Sequence, residues 1–134
     1  MTSLLAIEGI GPVNAGKLQS AGIGSVEALL TAAASPAGRK QLAEQAGVSE
    51  HHILEWANRA DLWRIKGVGE EYSDLLEAAG VDTVAELARR NAENLHQKLV
   101  EVNGAMQRVR RLPTSAQVAD WIQQAKSLPR VLEY

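Results

Sequence analysis

Apolar residues recur along this chain at the three- and four-residue spacing of helices, in short runs broken by glycine, serine and proline. Val26, Leu29 and Leu30 share one face, Ile53, Leu54, Trp56 and Ala57 a second, and Val118, Trp121, Ile122 and Ala125 a third. The breaks between runs predict the elements. Helices are expected over 12–21 and 26–34, then from Pro36 through Leu42 to Ala46, where Gly47 stops the run. Ser49 caps the next, and a short helix over 61–65 follows. Further helices are expected over 70–79 and 84–90, then from Asn91 through Val102, and a last one opened by Pro113 with Thr114 or Ser115 and closed by Leu128 and Pro129. Residues 1–8 leave room for a single turn, 104–111 reads as a loop or frayed extension, and Val131–Tyr134 as an apolar tail. No alternating run predicts a strand, so the expected class is all-α.

A second pattern lies above the helices. Ile7-Glu8-Gly9-Ile10-Gly11, Leu18 and Ala21-Gly22-Ile23 return as Ile65-Lys66-Gly67-Val68-Gly69, Leu76 and Ala79-Gly80-Val81, always 58 residues on. A fixed offset is the mark of a repeated unit. Glycine on both sides of one apolar residue makes a tight turn that buries the middle side chain, because glycine accepts backbone angles other residues resist. Pro12 suits a first helical turn, Gly22 and Gly80 suit helix ends, and Ser25 and Thr83 suit the starts that follow. Thr83 with Glu86 also has the spacing of a capping box. Late in each copy the offset becomes 65: Ser49 matches Thr114, Ile53 matches Val118, Trp56 matches Trp121 and Ala60 matches Ala125. Seven additional residues therefore enter the second copy, and 104–111 is the expected place.

This apolar-x-Gly-apolar-Gly turn between helices resembles the helix-hairpin-helix motif, whose usual activity is binding nucleic-acid backbone without reading sequence. Ala60-Asp61-Leu62, Arg64 through Gly69, Tyr72, Ala78 through Val84, Arg90-Asn91, Val118 and Trp121-Ile122 carry a closer resemblance. Through them almost the whole chain resembles a bacterial domain-of-unknown-function family of tandem helix-hairpin-helix proteins. The duplicated pattern is expected to fold as two similar lobes of four or five short helices, 1–64 and 65–134, the second holding the insertion and the tail, or as one compact domain made of both; the resemblance supports that fold. It implies no settled activity.

Composition narrows the chemistry. The 134 residues are 46% hydrophobic, with no phenylalanine and no cysteine, so disulfides, thiolate metal sites and cysteine nucleophiles are excluded. No signal peptide or membrane-spanning run is expected, which suits a cytoplasmic protein. The formal charge of −2 is not that of a dedicated nucleic-acid binder, so local distribution matters more.

The first hairpin, Gly9, Ile10 and Gly11, is the leading anion site, because a turn that opens a helix aims backbone N–H groups outward along a favourable dipole. Lys17 is the only charge between Glu8 and Glu27. The second hairpin, Lys66, Gly67, Val68 and Gly69, is the weaker candidate. Glu70, Glu71, Asp74, Glu77, Asp82 and Glu86 follow it with no intervening base, and they repel a phosphate. Arg108, Arg110 and Arg111 stand in an acid-free stretch, where guanidinium forks suit phosphate or carboxylate. Against this, they are a solvated loop or pair internally with the acidic helix.

His51, His52 and His96 lack the spacing of metal ligands, no nucleophile elbow or P-loop is present, and no cofactor is implied. Trp56 and Trp121 read as core residues rather than stacking platforms, Tyr72 as core or lobe interface, and Trp63 is unassigned. The expected function is a non-catalytic module that binds nucleic-acid backbone through the first hairpin and the arginines. The alternative is a protein adaptor or self-associating homodimer with degenerate hairpins.

Overall fold

The computed structural model describes residues 2–7 and 9–134. Glu8, which the sequence reading placed in the first glycine turn, lies outside the described residues. Among those described, the chain forms a 3-10 turn at Leu4–Ala6 and eight α-helices: α1 Gly11–Ser20, α2 Val26–Ala32, α3 Pro36–Ala46, α4 Glu50–Leu62, α5 Glu70–Ala78, α6 Val84–Ala88, α7 Ala92–Met106 and α8 Ser115–Ser127. No strand occurs among them. The chain divides into two compact units, Met1–Asp61 with Val131–Tyr134, and Leu62–Arg130.

In the first unit, α3 packs on α1 and α2, and the 3-10 turn packs on α1. Leu4, Ile7, Ile10, Leu18, Leu29, Ile53 and Trp56 are buried together in its core. Serine starts three of its helices: the Ser25, Ser35 and Ser49 hydroxyls accept from the amides of Ala28, Gly38 and His52. Such caps satisfy donors that the helix itself cannot. Segment Val131–Tyr134, which the sequence pattern grouped with the second lobe, belongs here. Leu132 is buried in this core, and the Glu133 amide donates to the Ala34 carbonyl at 2.7 Å.

In the second unit, α8 packs on α6 and α7, and α5 packs on α7. The capping box falls elsewhere than expected. Thr83 does accept from the Glu86 amide, but the Glu86 carboxylate turns to Arg90 one helical turn on, at 3.1 Å. A facing guanidinium competes well with a neutral amide for a carboxylate. The reciprocal box is made by Thr114 and Gln117 at the start of α8.

Two element boundaries also differ from expectation. Residues 61 and 62 complete α4 instead of opening a separate helix, since no breaker interrupts the stripe Ile53, Trp56, Ala57 and Ala60. α7 runs past Gly104 to Met106, because one glycine costs a helix only about 1 kcal/mol. The additional length is thus shared: α7 has 15 residues where α3 has 11, and the connection to α8 spans 107–114 where that to α4 spans 47–49.

The two glycine turns carry matching hydrogen bonds. Ile7 donates to Leu4 at 3.2 Å and Ile65 to Leu62 at 3.1 Å. Ile10 donates to Ile7 at 3.3 Å and Val68 to Ile65 at 3.1 Å. At the helix ends, Ile23 donates to Leu18 at 2.9 Å and Val81 to Leu76 at 2.8 Å. Gly9 and Gly67 have φ of 93° and 94°, Gly22 and Gly80 of 90° and 91°. The turns part company one residue before the helix. Gly11 has φ 69°, whereas Gly69 is extended at φ −116°. Pro12 supplies the reason, for a residue before proline is disfavoured in the right-handed helical region and glycine alone takes the left-handed one freely. Glu70 imposes no such restriction.

Trp56 and Trp121 are each 2% exposed and do the same job against these turns. A Cβ on Gly9 would lie 4.0 Å from Trp56 Nε1, and one on Gly67 only 3.0 Å from Trp121 Nε1. Both indoles are core, not open platforms for bases.

Candidate functional site

The first glycine turn is built to present its backbone. Ile10, at 2% exposure, anchors the turn in the core, and Gly9 lies at the surface. Among the described residues, no side chain caps α1 at Ile10, and its first turn holds no acid. α2, α3, α6, α7 and α8 are each capped by a side chain. Of the N-terminal positions of α1, the Ile10 amide is bonded to Ile7 and Pro12 has no N–H. Gly11 and Val13 are left as donors that the helix cannot satisfy. Val13 is 73% exposed, and Lys17 is exposed one turn further along.

The second turn has a different character. α5 also lacks a side-chain cap, but Glu70 and Glu71 occupy its first turn, so the dipole is already met by carboxylates. The Lys66 peptide is taken up by Gln124, whose Oε1 accepts from the Lys66 amide at 2.8 Å while its Nε2 donates to the Lys66 carbonyl at 3.1 Å. Val68 is buried, Gly67 is backed by Trp121, and the Lys66 side chain is exposed. Arg64 donates to the Pro129 carbonyl. Trp63 Nε1 donates to the buried Ser73 hydroxyl at 3.3 Å, which gives that tryptophan a structural place.

The three arginines do not act as one patch. Arg108 pairs with Asp74 of α5 at 3.2 Å, so the internal pairing with the acidic helix is the one realised for it. Arg111 offers its carbonyl to the Tyr72 hydroxyl at 3.0 Å, while its side chain and that of Arg110 face solvent. The loop carrying them is firmly held. Asn103 makes two bonds to the Val109 backbone, at 2.9 and 3.1 Å, His96 Nε2 donates to the Pro113 carbonyl at 3.1 Å, and Val109 and Pro113 are buried. Gly9, Ile10, Gly11 and Lys17 lie in the first unit and Arg108, Arg110 and Arg111 in the second, and each group is described within its own unit.

Charge is divided unevenly. The first unit has four lysines and arginines against seven acids, the second ten against nine. The unit that holds the first glycine turn is therefore the more acidic. Glu27 contributes to this: the hydroxyl of Thr2, then its amide, hold the carboxyl down to about 2.

His51 lies 3.9 Å from Glu55, His52 stacks on Trp56, and His96 pins the loop. Among the described residues no three of these or the acids gather as a metal site. Nor is any helix among them long and apolar enough to cross a membrane. Sequence reasoning missed Gln124, Asn103 and the Tyr72 bond. Gln124 and Tyr72 act through partners 58 and 39 residues away, and Asn103 closes a loop onto Val109 that no helical spacing signals.

Among the described residues the chain is all-helical, and α1 and α5 each open from a glycine turn with no side-chain cap bond. The family described as Domain of unknown function (DUF4332) matches residues 8–128, and the chain belongs to it. No curated protein and no solved structure matches the chain.

Proposed function

We propose that the chain is a non-catalytic binding module of two tandem helix-hairpin-helix units, whose first hairpin takes the phosphate backbone of a nucleic acid without reading its sequence. One observation carries this reading: α1 opens directly from residues 9–11 with no cap and no acid in its first turn. The Gly11 and Val13 amides lie at the positive end of the helix dipole, which favours an anion. The second hairpin has the same turn bonds but carries Glu70 and Glu71, and serves as scaffold.

The affinity expected is low. Only Lys17 adds a full positive charge, so log K should fall with log salt at a slope near −1, about 0.9 per phosphate neutralised. Fluorescence anisotropy of a labelled duplex at low ionic strength tests it. Binding in the micromolar range or weaker, reduced by Lys17→Glu, is the expected result. No binding at low salt overturns it.

A second reading rests on a different surface. Met106, 55% exposed, and Leu112, 36% exposed, bracket Arg110 and Arg111 on the pinned loop of the second unit. Exposed methionine and leucine beside exposed arginines suit an acidic protein partner or a second copy, as an adaptor would require, since Met and Arg are enriched at protein interfaces. Under that reading Arg110→Glu with Arg111→Glu abolishes partner binding and leaves duplex binding unchanged.

A further inference from the structure

Segment Val131–Tyr134 is held in the first unit as an extended peptide ligand is held by a receptor. Leu132 is its anchor, 2% exposed within the core of that unit. The main chain is gripped on both sides of Glu133: its amide donates to the Ala34 carbonyl at 2.7 Å, and its carbonyl accepts from Arg39 Nη2 at 2.7 Å. Arg39 is 6% exposed, and its Nη1 donates to the Ala33 carbonyl at 2.9 Å and the Ala34 carbonyl at 3.3 Å. The guanidinium thus ties the α2–α3 connection to the incoming strand-like segment. It also lies 5.7 Å from the centre of the Tyr134 ring, and the Tyr134 hydroxyl donates to Asn58 Oδ1 at 2.8 Å. Main-chain bonds supply affinity and one buried side chain supplies selectivity, the division of labour of extended-peptide recognition.

We infer that this seat is a binding site for an extended Leu-acid-Tyr segment, and that the occupant it exchanges is the same segment of a second copy of the chain. Ala34, Arg39 and Asn58, which bond the segment, belong to the first unit. The tether before it, residues 128–130, is held by the second unit: the Leu128 side chain packs on that core and Pro129 accepts from Arg64. Neither set of bonds depends on whether segment and seat belong to the same copy, which is the condition for exchange of an identical element. Concentration then decides. With Leu128 and Pro129 anchored, Arg130 alone links the two parts, and a connection this short gives an effective concentration on the order of millimolar or more, so the seat is self-occupied at micromolar protein and exchanged only above the effective concentration. This inference is independent of the anion reading.

Complementation tests it in the full chain. Leu132→Ala with Tyr134→Ala leaves a seat without its own ligand; Arg39→Ala leaves a segment without its own seat. Each alone should remain a monomer by light scattering. Their equimolar mixture should form a heterodimer, and a synthetic peptide of residues 130–134 should dissolve it. The same peptide should raise the melting temperature of the first variant and leave the wild type unchanged. If the double variant does not fold, Tyr134→Ala alone replaces it. Monomers in the mixture, together with no thermal shift on adding peptide at millimolar concentration, would overturn the inference.

Discussion

Alanine at Gly9 and alanine at Gly67 should have unequal costs, although the two backbones are nearly the same. At φ of 93° and 94° the strain of placing an L-residue in the left-handed region is common to both, about 1–2 kcal/mol. The loss of chain freedom in the unfolded state is also common, and gives back roughly 0.4–1 kcal/mol. What differs is the space. The new Cβ has ordinary contact with Trp56 Nε1 at 4.0 Å in the first turn, but meets Trp121 Nε1 at 3.0 Å in the second. Trp121 is 2% exposed and already packed against Tyr72, with ring centres 5.3 Å apart, so it cannot swing aside. Overpacking of this kind costs about 1–3 kcal/mol. Gly67→Ala should therefore be more destabilising than Gly9→Ala by roughly that amount. Urea unfolding followed by far-ultraviolet circular dichroism measures the difference, provided the slope with denaturant stays constant. Trp121→Phe, which removes the indole N–H, should shrink the gap in a double-mutant cycle. Equal costs at the two glycines, or a gap that survives Trp121→Phe, would refute the reasoning.

Other consequences are smaller. Gln107 ends α7 at φ 50°, where Gly47 ends α3 at φ 72°, so Gln107→Gly should stabilise by about 0.5–1 kcal/mol and raise the melting temperature by a few degrees. Glu27 has a folded pKa near 2 against an ordinary 4.5, set first by the Thr2 hydroxyl and then by its amide. Because the folded value is depressed, the stabilisation is present above pH 4.5 and lost as pH falls toward 2. Unfolding curves of wild type and Glu27→Gln should differ at neutral pH and converge across that interval; a difference that persists at pH 2 contradicts the assignment.

Much of the local architecture could be read from the chain because glycine at positive φ leaves an unambiguous mark. Gly9, Gly22, Gly67 and Gly80 all sit where their spacing places them, and Ser25, Ser49 and Thr83 cap the helices they precede. The boundaries that shifted lie where no residue forces a stop, at Asp61 in α4 and Gly104 in α7. The candidate site was less legible. A run of arginines looks the same whether it faces solvent or an acid across the fold, and only coordinates give Arg108 to Asp74. The placement of Leu132 was hidden for a related reason, since a short apolar tail signals burial without saying against what.

Amide chemical shifts of the uniformly labelled full chain, followed as a short duplex is added at low ionic strength, reach the anion reading most directly. The account predicts shifts at Gly9, Gly11 and Val13, reversed by added salt, with Gly67, Gly69 and Glu70 unmoved. Shifts confined to the second turn or to the 107–114 loop, or no shifts at all, would contradict it.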